Sequence, residues 1–293
     1  MNHAVSIEKE QTLKIGISMS ATESLGDFGV LANKIEDLEF ESVWLPEHPV
    51  IPVEHSSKYV GTADGSIPSQ MYHQVNPLIA LSRASATTTH LGLGTAVNLV
   101  TEHNPIDLAK EIATLDFYSG GRFYLGVGTG WFREEAEIMG VDFDHRWTQA
   151  REHVLAMKEI WTNDQAEFHG QYVDFPLIFC NPKPVRKPHP PIYLGGNAKN
   201  VLRRVVRWGN GWIPVRVSPE EIVAARQQLR RLCQAEKRDP ESIEITIHSQ
   251  PPDLPTIEAF KKAGANRVLI ALSSTKHLEA LEELEQIACI IQG

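Results

Sequence analysis

The chain has 293 residues, of which 42% are hydrophobic and 22% are charged, and its formal net charge is -9 at neutral pH. This composition is typical of a folded protein with a sizeable core. A net negative surface repels polyanions, so we expect neither nucleic acid nor an anionic membrane as a partner. The three cysteines form no Cys-x-x-Cys pair, which gives no sign of disulfides or a zinc knuckle and favours a reducing, cytoplasmic location.

The first twelve residues differ from the rest of the chain. Residues 1–12 mix charged and small side chains without an apolar core, so we interpret them as a flexible leader rather than a signal peptide. Residues 13–293 are predicted to form a single domain. No apolar run approaches the roughly 20 residues that a membrane helix needs.

Short apolar runs rich in β-formers alternate with longer stretches of helical period, as in repeated βα units. Eight parallel strands are the number that closes a (β/α)8 barrel, so the predicted fold is an α/β TIM barrel. The predicted strands are residues 13–18, 42–45, 91–97, 123–127, 192–194, 211–215, 243–247 and 267–272.

Four helices are marked by their caps and their apolar spacing. Asp27 and Asn104 each precede an apolar stripe that repeats by three and four. Ser218 opens a capping box, and a fourth stripe runs through residues 147–161.

Two segments exceed what a minimal barrel requires. Residues 49–76 are rich in Pro, Gly, Ser and His and directly follow the second strand, where the loops of a barrel build its active site, so they are a candidate lid. Residues 165–190 precede the fifth strand, and the alternation around a glycine within residues 166–175 predicts a small hairpin outside the barrel.

Glu47 and His48 follow the second strand and would therefore point into the mouth of the barrel. A histidine in that position can accept or donate a proton near neutral pH. A surface or structural histidine is the alternative.

Glycines follow two further strands. Gly126, Gly128 and Gly130 are evenly spaced, which is neither a dinucleotide-binding nor a P-loop pattern. Gly195 and Gly196 precede a predicted helix, whose free amides form a natural phosphate site. Basic residues continue into that helix, and a solvated helix face is the alternative explanation for them: Lys199, Arg203, Arg204 and Arg207.

The sequence lacks the motifs that are typical of metal-dependent and of nucleophilic catalysis. The sequence has no His-Glu-x-x-His pattern, so no metal site is predicted, and it has no Gly-x-Ser-x-Gly nucleophile turn. Cys180 has no base beside it and is interpreted as structural.

Six motifs follow one another along the chain: Glu47-His48, residues 91–97, Asn104-Pro105, residues 115–122, residues 126–131 with Glu135, and residues 190–197. In this order and spacing they resemble the luciferase-like monooxygenase superfamily, and most closely its branch that uses the deazaflavin F420. The resemblance covers residues 13–215 and is weaker beyond them.

The resemblance implies a barrel that holds a flavin or deazaflavin ring at its C-terminal mouth. Ala96-Val97 matches the position of a non-proline cis peptide behind the ring. His48 matches the residue that exchanges a proton beside the hydride-transfer centre. The other positions that match cofactor contacts are Glu47, Thr129, Gly130, Gly195, Gly196 and Asn197.

Two departures from the family pattern affect the expected function. Trp131 stands where the sugar-phosphate dehydrogenases of the superfamily have a catalytic glutamate, which argues against that substrate. Glu47 replaces the aspartate usual in F420 enzymes, so FMN stays an alternative cofactor.

We expect hydride transfer between F420 and a small organic substrate. An FMN-dependent monooxygenase and a non-catalytic F420-binding protein are the alternatives, and a homodimer is compatible with the resemblance because many members are dimers.

Overall fold

The structure is a computed structural model that describes residues 12–292, so the predicted leader lies outside the described residues except for its last one. Within that range the strands are β1 (Lys14–Ser18), β2 (Ser42–Leu45), β3 (Gly92–Thr95), β4 (Asn98–Leu99), β5 (Phe123–Gly128), β6 (Gln165–His169), β7 (Asp174–Phe179), β8 (Ile192–Gly195), β9 (Gly211–Ile213), β10 (Glu244–Gln250) and β11 (Arg267–Ala271).

The helices are α1 (Phe28–Asp37), α2 (Pro77–Ser85), α3 (Pro105–Tyr118), α4 (Arg133–Ile138), α5 (Arg146–Thr162), α6 (Val201–Trp208), α7 (Pro219–Ala235), α8 (Leu254–Ala263) and α9 (His277–Gln292). Short 3-10 turns occupy Glu23–Leu25, Ser69–His73, Val100–Glu102, Phe143–His145 and Pro240–Ser242. The side chains of Asp27, Asn104 and Ser218 accept main-chain N–H groups at the first turns of α1, α3 and α7, as predicted. Within residues 12–292 no helix combines the length and the apolar character that a bilayer crossing requires.

Eight parallel strands form the closed ring β1, β2, β3, β5, β8, β9, β10, β11 and back to β1. The ring closes between its third and fourth members because β3 pairs with β5 as well as with β2. The predicted (β/α)8 barrel is therefore confirmed.

Three strands differ from their predicted bounds by two or more residues at one end. The third predicted strand, 91–97, is broken, since β3 ends at Thr95 and the chain resumes pairing with β5 only in β4. The sixth ends at Ile213 instead of residue 215, and the seventh runs on to Gln250 through an irregularity in its pairing with β11.

Both insertions lie where the sequence places them. Residues 49–76 connect β2 to α2 and contain only the turn Ser69–His73 as regular structure. The antiparallel pair β6 and β7 forms the predicted hairpin before β8, with strands that extend to Phe179 rather than ending at residue 175. The barrel thus carries one addition at its mouth and one on its side.

The N-terminal end of the barrel interior is filled by Arg267, whose side chain is fully buried. Its guanidinium forms a bidentate ion pair with Glu41, at 2.8 Å for both N–O distances, and also approaches Glu244. Three aromatic rings lie within 6.0 Å of the guanidinium: Trp44, Tyr124 and Tyr193. Charge pairing and stacking together close this end of the barrel.

Candidate active site at the C-terminal mouth of the barrel

The predicted site residues lie at or just after the C-terminal ends of four strands that are neighbours in the ring, β2, β3, β5 and β8. Because the strands are parallel, their C-terminal ends meet at one mouth of the barrel. In strand order the residues are Glu47 and His48, Ala96 and Val97, Thr129 and Gly130, and Gly195, Gly196 and Asn197. The structure brings all of them to the same end of the fold.

The break between β3 and β4 is the cis peptide bond between Ala96 and Val97. The Val97 side chain lies between two glycine loops. A Cβ atom on Gly128 would lie 2.2 Å from one Val97 methyl carbon, and a Cβ atom on Gly195 would lie 2.6 Å from the other. Only glycine leaves room at these two positions, so the loops after β5 and β8 meet at Val97.

Main-chain donors are available on both loops. Gly130 and Gly196 adopt φ angles of +70° and +84°, and a Cβ atom on Gly196 would meet nothing within 4 Å. Among the described residues, the N–H groups of Gly130 and residues 197–199 have no main-chain or side-chain acceptor. Free amides that precede α6 fit the phosphate of a cofactor.

Two of the residues that are predicted to contact the cofactor already form hydrogen bonds with other residues of the protein. The N–H of Gly196 donates to Ile213 at 2.9 Å. The side-chain amide of Asn197 donates to the Val215 carbonyl at 2.6 Å, and its oxygen accepts the Val215 N–H at 3.1 Å. The side chain of Asn197 therefore fixes the loop after β9, which leaves its main-chain N–H as the group free for a ligand.

His48 is held by Glu135, a residue of α4 whose side chain is fully buried. The Nδ1 atom of His48 donates to the Glu135 carboxylate at 2.7 Å. The Trp131 indole and the imidazole are inclined at 74°, with ring centroids 5.9 Å apart. Because Nδ1 is occupied, Nε2 is the nitrogen left to exchange a proton with a ligand.

Glu47 has a different environment from its neighbour. Its buried carboxylate accepts hydrogen bonds from the Asn98 side chain and the Leu99 N–H, both at 2.7 Å. His103 donates to the other oxygen at 3.0 Å. Burial alone would lower the pKa of His103, but the hydrogen bond and charge of Glu47 raise it above its usual value.

A third carboxyl group lies between these two pairs. Glu102 is only 5% exposed, and neither of its carboxyl oxygens has a hydrogen-bond partner among residues 12–292. One oxygen lies 3.4 Å from where a Cβ atom on Gly130 would stand, so the group faces the glycine loop. Burial, with the charges of Glu135 and Glu47, raises the pKa of Glu102 to about 9. Glu102 is therefore a neutral acid at pH 7.

The candidate lid crosses this mouth. Tyr59 packs on Trp131 with ring centroids 5.3 Å apart. Ser56 and Ser57 donate to the carboxylate of Glu134 at the start of α4. On the opposite side, Arg216 after β9 donates to the main chain of the insertion. The insertion thus contacts the segment after β5 and the segment after β9, and its Tyr59 lies against Trp131.

Sequence reasoning missed two of these functional groups. The sequence analysis names Glu135 only as part of a motif, without a role. No pattern in the sequence indicates a functional role for Glu102, which lies shortly before α3. Both groups interact with residues that are distant in sequence, and Glu135 is 87 residues from its partner His48.

Within residues 12–292, no cluster of three or more side chains has an arrangement that could hold a metal ion.

Groups able to exchange a proton and loops able to hold a phosphate therefore meet at the end of a barrel where such enzymes carry out their chemistry. This arrangement is that of a cofactor-dependent barrel enzyme. The model of the luciferase-like monooxygenase family matches residues 11–263, and the chain belongs to this family.

The relatives of this chain include one protein that is named for F420 and one that is named for FMNH2. An uncharacterized protein of Mycobacterium tuberculosis is 35% identical over 264 residues, which cover 88% of this chain and 91% of the relative. An F420-dependent glucose-6-phosphate dehydrogenase of Kineococcus radiotolerans is 31% identical over 69% of this chain and 56% of its own. An FMNH2-dependent dimethylsulfone monooxygenase of Pseudomonas putida is 37% identical over 36% of this chain and 31% of its own.

Solved structures agree on the fold. An F420-dependent secondary alcohol dehydrogenase superposes with a TM-score of 0.73 at 18% identity, covering 96% of this chain and all of the other. The match of the family model confirms the family resemblance inferred from the motifs. The protein is an oxidoreductase of a family in which some members use F420 and others use FMN.

Proposed function

We propose that the protein transfers a hydride between F420 and a small organic substrate. The F420-dependent relative aligns with 69% of this chain, whereas the FMNH2-dependent relative aligns with 36%. The bound cofactor would supply the hydride chemistry, and the protein would supply binding, orientation and a proton.

The observation that carries this proposal is the His48–Glu135 pair at the mouth. Both side chains are almost completely buried, with 6% and 0% of their surfaces exposed, and their hydrogen bond is 2.7 Å long. Glu135 fixes the orientation of the imidazole and leaves Nε2 to face the ligand. His48 then donates or accepts the proton that accompanies the hydride, depending on the direction of the reaction.

The cofactor would lie between the bulge and the two glycine loops. Ala96 and Val97 would support the back of the ring, and Glu47 would contact it from the end of β2. The phosphate would be bound by main-chain groups near Thr129, Gly130, Gly195, Gly196 and Asn197. Gly130 has no Cβ, and its N–H is free among the described residues, which fits this use.

The substrate would bind against an aromatic wall. Trp131 stacks on Phe132 at 4.7 Å and is covered by Tyr59 from the lid. An indole cannot supply the proton that a carboxylic acid would, and we assign proton transfer to His48 because Glu135 orients its imidazole. A wall of this kind favours an apolar or aromatic substrate over a sugar phosphate.

Titration of the purified protein with F420 and with FMN, side by side, tests the proposal. We expect tight binding of F420, followed by substrate-dependent change of its absorbance. Binding of FMN alone, with oxygen consumed in the presence of FMNH2, would establish the monooxygenase alternative. Tight F420 binding without turnover of any substrate in a broad panel would establish the non-catalytic alternative.

A further inference from the structure

A second histidine lines the mouth of the barrel, on the side opposite the bulge formed by Ala96 and Val97. His248 lies near the C-terminal end of β10. In the closed ring, β10 is the fourth strand from β3 in either direction, so it stands across the barrel from the bulge. Since the strands are parallel, His248 lies at the same end of the barrel as the candidate active site.

The alternation of side chains along β10 directs His248 into the barrel. Thr246 faces the interior, where its hydroxyl accepts a hydrogen bond from Arg267 at 3.1 Å. Ile245 and Ile247 are fully buried in the large core that the outer helices cover. Successive side chains of a strand point to opposite faces, so His248 continues the inward series, roughly 7 Å nearer the mouth than Thr246.

The imidazole of His248 is unpaired in the part of the chain that the structure describes. Its ring forms no hydrogen bond, ion pair or ring contact there, whereas the ring of His48 is bonded to Glu135. The residue is partly exposed, so a ligand in the mouth can reach it. Burial, rather than a neighbouring charge, lowers the pKa of His248 to about 4. At pH 7 the ring is therefore neutral, with one nitrogen that donates a hydrogen bond and one that accepts.

The space in front of His248 is where the substrate would bind. In the proposed function one face of the cofactor ring rests on the bulge, and the other face looks across the mouth toward β10. Apolar side chains close the barrel below this space, among them Trp44, Ile213 and Leu269. A substrate between the ring and β10 would cover the imidazole. A ligand that covers a polar group without replacing its hydrogen bond to water loses affinity.

We propose that His248 determines specificity by forming a hydrogen bond with an uncharged oxygen of the substrate, a hydroxyl or a carbonyl group, away from the reacting centre. The inference rests on the proposed function and deepens it, since it gives the substrate an apolar body against Trp131 and one neutral oxygen at β10. His48 follows β2, three strands from β10 round the ring, so the two histidines hold different parts of the substrate. A carboxylate or a phosphate does not suit this position, because a neutral ring offers an anion little in return for its lost hydration.

Isothermal titration calorimetry of the protein saturated with reduced F420 tests the inference. The probes are benzyl alcohol and ethylbenzene, which have the same shape and differ by a hydroxyl in place of a methyl group. Reduced F420 cannot accept a hydride, so the alcohol binds without reacting. The affinity for benzyl alcohol relative to ethylbenzene is expected to fall about fivefold in His248→Leu and in His248→Phe, the value of one net hydrogen bond.

Two further variants separate a specific contact from a general effect on the fold. His248→Gln keeps a neutral donor and acceptor and should retain most of the relative affinity. His169→Leu, at an exposed position of the hairpin outside the barrel, is the matched control and should leave it unchanged. Benzoate should bind the wild type more weakly than benzyl alcohol does.

The outcomes distinguish the two proposals. A relative affinity that both apolar variants leave unchanged, a wild type that does not bind benzyl alcohol, or tighter binding of benzoate than of the alcohol would overturn the inference while F420 binding stands. Failure of the wild type to bind F420, measured before these titrations, would overturn the proposed function and the inference with it.

Discussion

Replacing Glu102 by glutamine is expected to stabilise the protein at neutral pH. The carboxyl group is buried, has no hydrogen-bond partner in the part of the chain that the structure describes, and lies near the charges of Glu47 and Glu135. In the folded protein it stays protonated up to about pH 9, whereas in the unfolded chain it ionises near its ordinary pKa of 4.5. Glutamine has a similar shape and no proton to lose, so Glu102→Gln removes the pH-dependent cost while keeping the packing.

The sign and size of this effect follow from proton linkage. Between pH 4.5 and about 9 the folded protein binds a proton that the unfolded chain has released, so rising pH favours unfolding. Each pH unit in this interval costs about 1.4 kcal/mol. At pH 7 the wild type should be less stable than the variant by about 3 kcal/mol. Near pH 4.5 the two should be almost equally stable.

Urea unfolding at pH 5, 7 and 8.5 measures this directly. The difference in free energy of unfolding between variant and wild type should grow steadily with pH. Glu282→Gln, an exposed position of α9, serves as the control and should show no such growth. A difference that is the same at all three pH values would refute the assignment of Glu102 as a neutral buried acid.

His48→Ala should lower turnover about 10²–10⁴-fold, the usual contribution of a positioned acid or base, with F420 affinity kept in a fluorescence titration; unchanged turnover would remove His48 from the mechanism. Gly195→Ala should weaken F420 binding because its methyl would meet Val97 at 2.6 Å. Adding Val97→Ala should restore part of that affinity, and no restoration would contradict the contact. Arg267→Met leaves the partly buried carboxylate of Glu41 without its bidentate partner and should cost about 1–3 kcal/mol in urea unfolding, so an unchanged free energy of unfolding would argue that Arg267 does not stabilise this end of the barrel.

Much of the fold could be predicted because the signals are local. Apolar runs and caps such as Asp27 and Ser218 depend on residues within a few positions of one another, and the structure has those strands and helices. Strand ends were less accurate where tertiary contacts decide them. The break after Thr95 coincides with the cis peptide between Ala96 and Val97, which the apolar pattern does not indicate and which only the family resemblance places there.

The site could be predicted only in part. Position after a strand places Glu47, His48 and the glycine loops at the mouth. The sequence does not show that His48 is hydrogen-bonded to Glu135 or that Glu102 is left without a partner, because these relations join β2, α4 and the turn before α3. The side chain of Asn197 illustrates the same limit, since its partner Val215 is 18 residues away.

The crystal structure of the protein with F420 tests the central claim most directly. We expect the deazaflavin ring to lie against Ala96 and Val97, within reach of the Nε2 atom of His48, with its phosphate on the amides near Gly130 and Gly195. A cofactor bound anywhere else on the protein, or a ring beyond hydrogen-bond reach of His48 and its ligand, would contradict the account.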